Sequence, residues 1–164
     1  MSSILTIYHM RESQHTEFES AYANEKKVTY KSGLFGKKEV VTGERFVWEY
    51  LDEAAASKID FDYSGFLFID YFFTYVVLPD DIQTRLNSGG RGEHYDLIDS
   101  SLASAIRGYL TAHRPSIESL TEYSIGEGKI DREYPDALLS VHDQIVDWMG
   151  SCTNGTFLVL HLTF

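Results

Sequence analysis

The residues of this 164-residue chain that can do chemistry are six histidines, one cysteine, a glycine-rich stretch and several carboxylate pairs. The histidines are His9, His15, His94, His113, His142 and His161. None shows the four-residue spacing with an adjoining glutamate that places two zinc ligands and a base on one helix face. His9 and His161 fall in apolar runs at opposite ends of the chain. Pairing of those runs would bring the two imidazoles near one another, but a metal would still need a third and fourth ligand. Cys152 is the lone thiol. As a nucleophile it would need His142 or His161 as base and Asp143 to orient that base. It follows the end of an expected helix, where the dipole raises a thiol pKa, so it reads as a structural thiol. Gly89-Gly90-Arg91-Gly92 can offer backbone amides to a phosphate, with Arg91 as counter-charge. It lacks the Walker spacing and the strand-to-helix setting, and reads as a surface loop. No catalytic, metal or cofactor residue is therefore assigned.

The carboxylate pairs lead elsewhere. Asp60 and Asp62 flank Phe61 and precede Tyr63, and Asp80 and Asp81 follow Pro79. Residues two apart on a strand share a face, so Asp60 and Asp62 can act together. Aromatic anchors rimmed by charge describe a protein interface, and they also describe the edge of a core. As candidate partner-binding residues the sequence offers Asp60, Asp62, Tyr63, Tyr75, Asp80 and Asp81.

Composition bounds the rest. Hydrophobic residues make up 43% and charged residues 24%, a globular balance for a chain of one-domain size (residues 1–164). Aromatics reach 14%, with 11 Tyr, 10 Phe and 2 Trp, and such side chains dominate both core and interface energetics. One cysteine allows no internal disulfide, and the start of the chain carries no basic segment leading into a long apolar run. The most apolar stretch, Phe66 to Leu78, is shorter than the roughly 20 residues of a membrane span. A cytoplasmic location is the expectation. The net charge of −11 is uneven: residues 25–39 carry five lysines against two glutamates, +3, which leaves −14 on the remainder. Such a body disfavours nucleic acid and anionic membrane and steers basic partners.

The elements that must position these residues follow from periodicity. Residues 3–9 read as a strand, with Ile4, Leu5, Ile7 and Tyr8. Residues 12–24 read as a helix with a thin stripe of Phe18, Ala21 and Tyr22. Short β-branched runs flank Lys31–Lys38 as a hairpin or mobile loop, with Leu34 and Phe35 at the tip, either free for a partner or tucked onto the body. Glu44–Ala56 and the acid-aromatic stretch from Gly65 to about Val77 read as helices, the second capped by Ser64 and ended by Pro79, with a strand pair as its alternative. Asp80–Glu93 reads as a flexible loop and Tyr95–His113 as a helix, with one or two turns more over Ser116–Tyr123. The last helix runs from Pro135 to just before Gly150. Asn154-Gly155 is a turn, and Thr156–Phe164 a strand. The two terminal strands are expected to pair in one sheet packed by about four to five helices, an α+β fold.

Three pieces, Ile59-Asp60-Phe61-Asp62, Leu138 to Met149 and Phe157 to Leu162, together with the N-terminal strand, give a layout that resembles the YfbM-like family of small bacterial α+β proteins. Gly65 and Ile69 stand near where that family carries a tryptophan and a histidine. The resemblance implies no enzyme activity and no site residue, and it points toward toxin immunity. The expected function is that of a bacterial immunity protein which binds and neutralises a cognate protein toxin or effector. A small enzyme with a site outside known motifs, drawing on Arg91 and His94, and a homo-oligomeric module such as a homodimer are the alternatives.

Overall fold

A computed structural model describes residues 4–34, 36–72, 76, 78–91, 94–126 and 133–163. Five strands form one antiparallel sheet in the order β4 (Ser57–Phe61), β1 (Ile4–Arg11), β7 (Thr156–Thr163), β6 (Tyr95–Asp99) and β5 (Gly90–Arg91). The terminal strands β1 and β7 are neighbours, from Ile4 opposite Thr163 to Arg11 opposite Thr156. The fold is thus α+β, with both ends of the chain in one sheet.

The sheet is covered on both faces. On one, Leu5 and Ile7 of β1, Leu158 and Leu160 of β7 and Ile98 of β6 meet five helices: α3 (Tyr63–Asp70), α4 (Asp80–Gly89), α5 (Ser100–Ala112), α6 (Ile117–Gly126) and α7 (Glu133–Ser151). On the other, Tyr8, Met10, Phe157, Val159 and Tyr95 meet α1 (His15–Ala23) and α2 (Val47–Ala54) through Phe18, Val47, Tyr50 and Leu51. Burial on both sides explains why β1 and β7 are near-continuous apolar runs rather than alternating ones. The described residues hold seven α-helices, more than the four to five expected. None is long and apolar enough to cross a membrane.

Four local expectations are corrected. Asp80–Glu93 is not a loop: α4 occupies most of it, and Ile82 and Leu86, four apart, are buried against the sheet and its neighbours. Tyr95–His113 is not one helix. Tyr95–Asp99 is β6, and the Asp99 carboxylate accepts the Leu102 N–H (2.7 Å) to start α5. The cap of α3 is Asp62, whose carboxylate accepts both the Ser64 N–H (2.9 Å) and the Ser64 hydroxyl (2.6 Å). The last helix does not stop before Gly150: α7 runs through Gly150 to Ser151, with Pro135 two residues inside its start. The Gly150 α-carbon faces the Arg107 side chain so closely that a β-carbon there would lie 3.0 Å from the guanidinium.

Between α1 and α2 the chain leaves the body as a hairpin, β2 (Lys27–Gly33) and β3 (Gly36–Thr42), which forms a separate two-stranded sheet. Its base is tied by Lys26 N–H to Arg45 O (2.9 Å) and Glu44 N–H to Asn24 O (3.1 Å). Gly43 closes that base with φ +83°, and a β-carbon there would strike the Glu25 carbonyl oxygen at 2.2 Å, so only glycine fits.

Candidate functional site

The six residues singled out by the sequence are dispersed. Asp60 sits on β4, the edge strand, directly opposite Thr6. It accepts a hydrogen bond from the Thr6 hydroxyl (2.7 Å), and the Lys58 ammonium lies 3.9 Å away. Lys58 in turn donates to Asp52 of α2 (2.7 Å), which also accepts the Tyr8 hydroxyl (3.3 Å). Burial first, then the negative charge of Asp52, pushes the Tyr8 phenol far above its ordinary range, so it stays protonated and donates. These bonds knit α2 to the sheet edge and tie one Asp60 oxygen to Thr6, while the Asp60 side chain remains exposed. Asp62 lies outside the strand and serves as the α3 cap; the Ser64 hydroxyl and then the Ser64 N–H hold its carboxyl below the usual range. Asp60 and Asp62 therefore do not act as a strand-face pair.

Asp80 and Asp81 are exposed in the first turn of α4, where their charge suits the helix dipole. α4 packs on β6, which is separated from β4 by β1 and β7, so these acids belong to a different part of the surface. Tyr63 is the first residue of α3, and its side chain lies outside the described residues; so does Tyr75 as a whole.

The histidine and thiol arrangements are not assembled. His9 is opposite Leu158 while Thr6 is opposite His161, an odd offset that puts the two histidines on opposite faces of the sheet. His9 meets Trp148 edge-on at 6.5 Å, and His161 stacks on Tyr95 at 4.4 Å. Burial, reinforced by the nearby His94, pushes the His161 imidazole down to about 4, so it is neutral at pH 7. Cys152 is buried, and burial raises its thiol pKa; its sulfur lies 3.9 Å from Ile98 O and 3.8 Å from Thr156 O. His142 is committed elsewhere, with Nε2 on Leu110 O (2.9 Å) and Nδ1 on Asp143 (3.0 Å). Gly89 ends α4 and Gly90 opens β5, while Gly92 and the Arg91 side chain lie outside the described residues. Among the described residues no group of three or more His, Cys, Asp or Glu is placed to hold a metal.

The hairpin, whose tip the sequence left either free for a partner or tucked onto the body, stands clear of it. Every residue of β2 is exposed, and β3 is exposed at all but one. Pairs directly opposite share a face, so Val28 and Val41, Tyr30 and Glu39 lie on one side. Lys27 with Thr42, Thr29 with Val40 and Lys31 with Lys38 lie on the other. Tyr30 is 66% exposed and Leu34 99%, so Leu34 does not tuck onto the body; Phe35 lies outside the described residues. The signal was present in the sequence as short β-branched runs on either side of a lysine- and glycine-containing stretch, but only the fold shows that the residues of both strands are exposed.

No protein-family model, curated protein or solved structure matches this chain.

Proposed function

We propose that this protein works by binding another protein, as an immunity protein does when it neutralises a cognate toxin or effector. The observation that supports this reading most is the exposed hairpin. A two-stranded hairpin is marginal in water by itself, and this one leaves Val28, Tyr30, Leu34 and Val41 in solvent on an arm anchored only at its base. Laid on a partner, the Val28–Val41–Tyr30 face supplies the apolar centre of an interface, with Glu39 on the same face and Lys27, Lys31 and Lys38 on the opposite one. The rest of the chain, at −14, steers a basic region of the partner toward the body beside the arm. The partner surface is thus the β2–β3 arm together with the acidic body, in which Asp80 and Asp81 are exposed and form no ion pair among the described residues.

A second reading is favoured by one observation. The +3 segment and the −14 body are complementary within one chain, so the arm of one copy suits the body of another and gives a homodimer. The two readings separate experimentally. Each reading frame adjacent to this gene is expressed alone and together with this chain. A neighbour that arrests growth alone, and is rescued by this chain but not by its Val28→Ser/Tyr30→Ser/Val41→Ser variant, supports neutralisation through the arm. If no neighbour is toxic and light scattering gives twice the chain mass, falling to one chain mass in the variant, the immunity reading fails and the homodimer stands.

A further inference from the structure

Between the sheet and the larger helical layer lies a cavity of about 220 Å³. Its walls come from β1 (Leu5, Ile7), β7 (Leu160, Leu162), β6 (Ile98), α3 (Phe68, Ile69), α5 (Ile106, Leu110) and α7 (Ile145, Met149), with Phe72, Leu78 and Leu86 closing it. Close-packed interiors leave few voids larger than a water molecule. A dry cavity of about 150 Å³ lined by aliphatic and aromatic side chains takes up benzene, so this one has room for a ring and a short chain.

Among the described residues, two polar side chains line it, Asn87 and Asp96. Asn87 is exposed and Ile69, Asp96 and Leu162 are partly so, which places the mouth of the cavity at this end of the sheet. Asp96 is opposite Leu160 on β7 and Gly90 on β5, and its position in the register turns it toward the apolar interior rather than toward α1 and α2. No hydrogen bond or ion pair to its carboxylate is formed among the described residues, although such a group in an apolar setting is costly without one. Burial raises its carboxyl above the ordinary range. The last turn of α4, with Asn87 and Gly89, lies beside it, and a helix C-terminus favours positive charge.

We propose that this cavity is a binding site for a small apolar primary amine, whose hydrocarbon body fills the cavity and whose ammonium pairs with Asp96. Each alternative leaves something unmet. A neutral hydrocarbon leaves the carboxylate unpaired, an alcohol offers it a single uncharged donor, and an anion is repelled by it. A charge-assisted bond in a sheltered site exceeds a neutral one, which sets the expected selectivity at about tenfold or more. This site is independent of the hairpin and of the protein-binding reading.

The test uses the intact chain and three probes that share one body: 2-phenylethylamine, 2-phenylethanol and 3-phenylpropanoate. Titration calorimetry ranks them. Methyl NMR on Leu5, Ile7, Ile98 and Leu160 locates them, since those methyls line the walls. The expected result is amine over alcohol by about tenfold or more, no binding of the carboxylate, and shifts at the wall methyls. In Asp96→Asn the preference for the amine over the alcohol disappears while the alcohol still binds. Should Asp96→Asn fail to fold, the native protein still decides: the ranking of amine over alcohol and the shifts at the wall methyls are both read without the variant. Equal binding of amine and alcohol, amine binding unchanged in Asp96→Asn, shifts confined to surface residues, or no binding at millimolar amine each overturns the proposal.

Discussion

Replacing His142 with phenylalanine tests how the larger helical layer is held together. His142 lies on α7 with 1% of its surface exposed. Its Nε2 donates to Leu110 O at 2.9 Å, and Leu110 is in the last turn of α5, where carbonyls have no partner inside their own helix. The imidazole therefore caps one helix from the side of another. Its ring also stacks on Phe72 (6.3 Å, 27°) and meets Phe68 edge-on (6.0 Å). Phenylalanine keeps those ring contacts and deletes the donor, which leaves a buried carbonyl unsatisfied at a cost of about 1–3 kcal/mol. For a chain of this size that is a fall in melting temperature of about 2–12 °C. His142→Gln puts a donor near the Nε2 position and is expected to recover part of the loss. Asp143→Asn serves as the control. Asp143 is half exposed and also bound by Arg114 at 2.9 and 3.1 Å, so its change should matter much less than loss of the cap. Urea unfolding at pH 7 measures all three. A His142→Phe protein as stable as the native one, or a His142→Gln protein no better than His142→Phe, would refute the capping role.

Two further outcomes follow from the sheet. His161 has a folded pKa depressed to about 4 against an ordinary value near 6.5, so between those values the unfolded chain takes up a proton that the folded chain does not, and stability must fall as pH drops through that window. Allowing for partial exposure, urea titrations at pH 7.5 and 4.5 should show the native protein losing about 2 kcal/mol more than His161→Gln, and equal losses would rule out the neutral buried imidazole. At Gly65, in α3, an added β-carbon would lie 2.5 Å from the Phe61 β-carbon and 3.0 Å from that of Leu5, so Gly65→Ala should destabilise by about 1–2 kcal/mol despite the better helix propensity of alanine; a neutral or stabilising result would show that α3 is free to lift off the sheet.

Local pattern was enough where an element carries its own signal. The terminal strands were legible because Ile4–Tyr8 and Phe157–Leu162 are apolar and β-rich over a full strand length, and α7 because Leu138, Val141, Ile145 and Met149 recur at helical steps. The elements that were misread carry weak or mixed signals. α4 has two buried residues, Ile82 and Leu86, in an otherwise polar stretch, and it is helical because β6 and α5 are there to bury them. β6 sends Tyr95 to one face and Ile98 to the other; with both faces covered no polar alternation marks it as a strand, and it merges with the stripe of α5.

Composition by itself determined an acidic, aromatic-rich chain with one thiol and a lysine-rich segment, because charge and residue type need no contacts to be counted. How the acids are held was decided by the fold: Asp60 accepts from Thr6 across a strand pair and Asp62 from Ser64 at a helix start, while all four of Asp60, Asp62, Asp80 and Asp81 are exposed. The same holds for the uncovered hairpin and for Asp96 at the mouth of an apolar cavity. Exposure and desolvation are properties of what packs against a residue, and for Asp60 and Asp96 that packing includes segments tens of positions away in the chain.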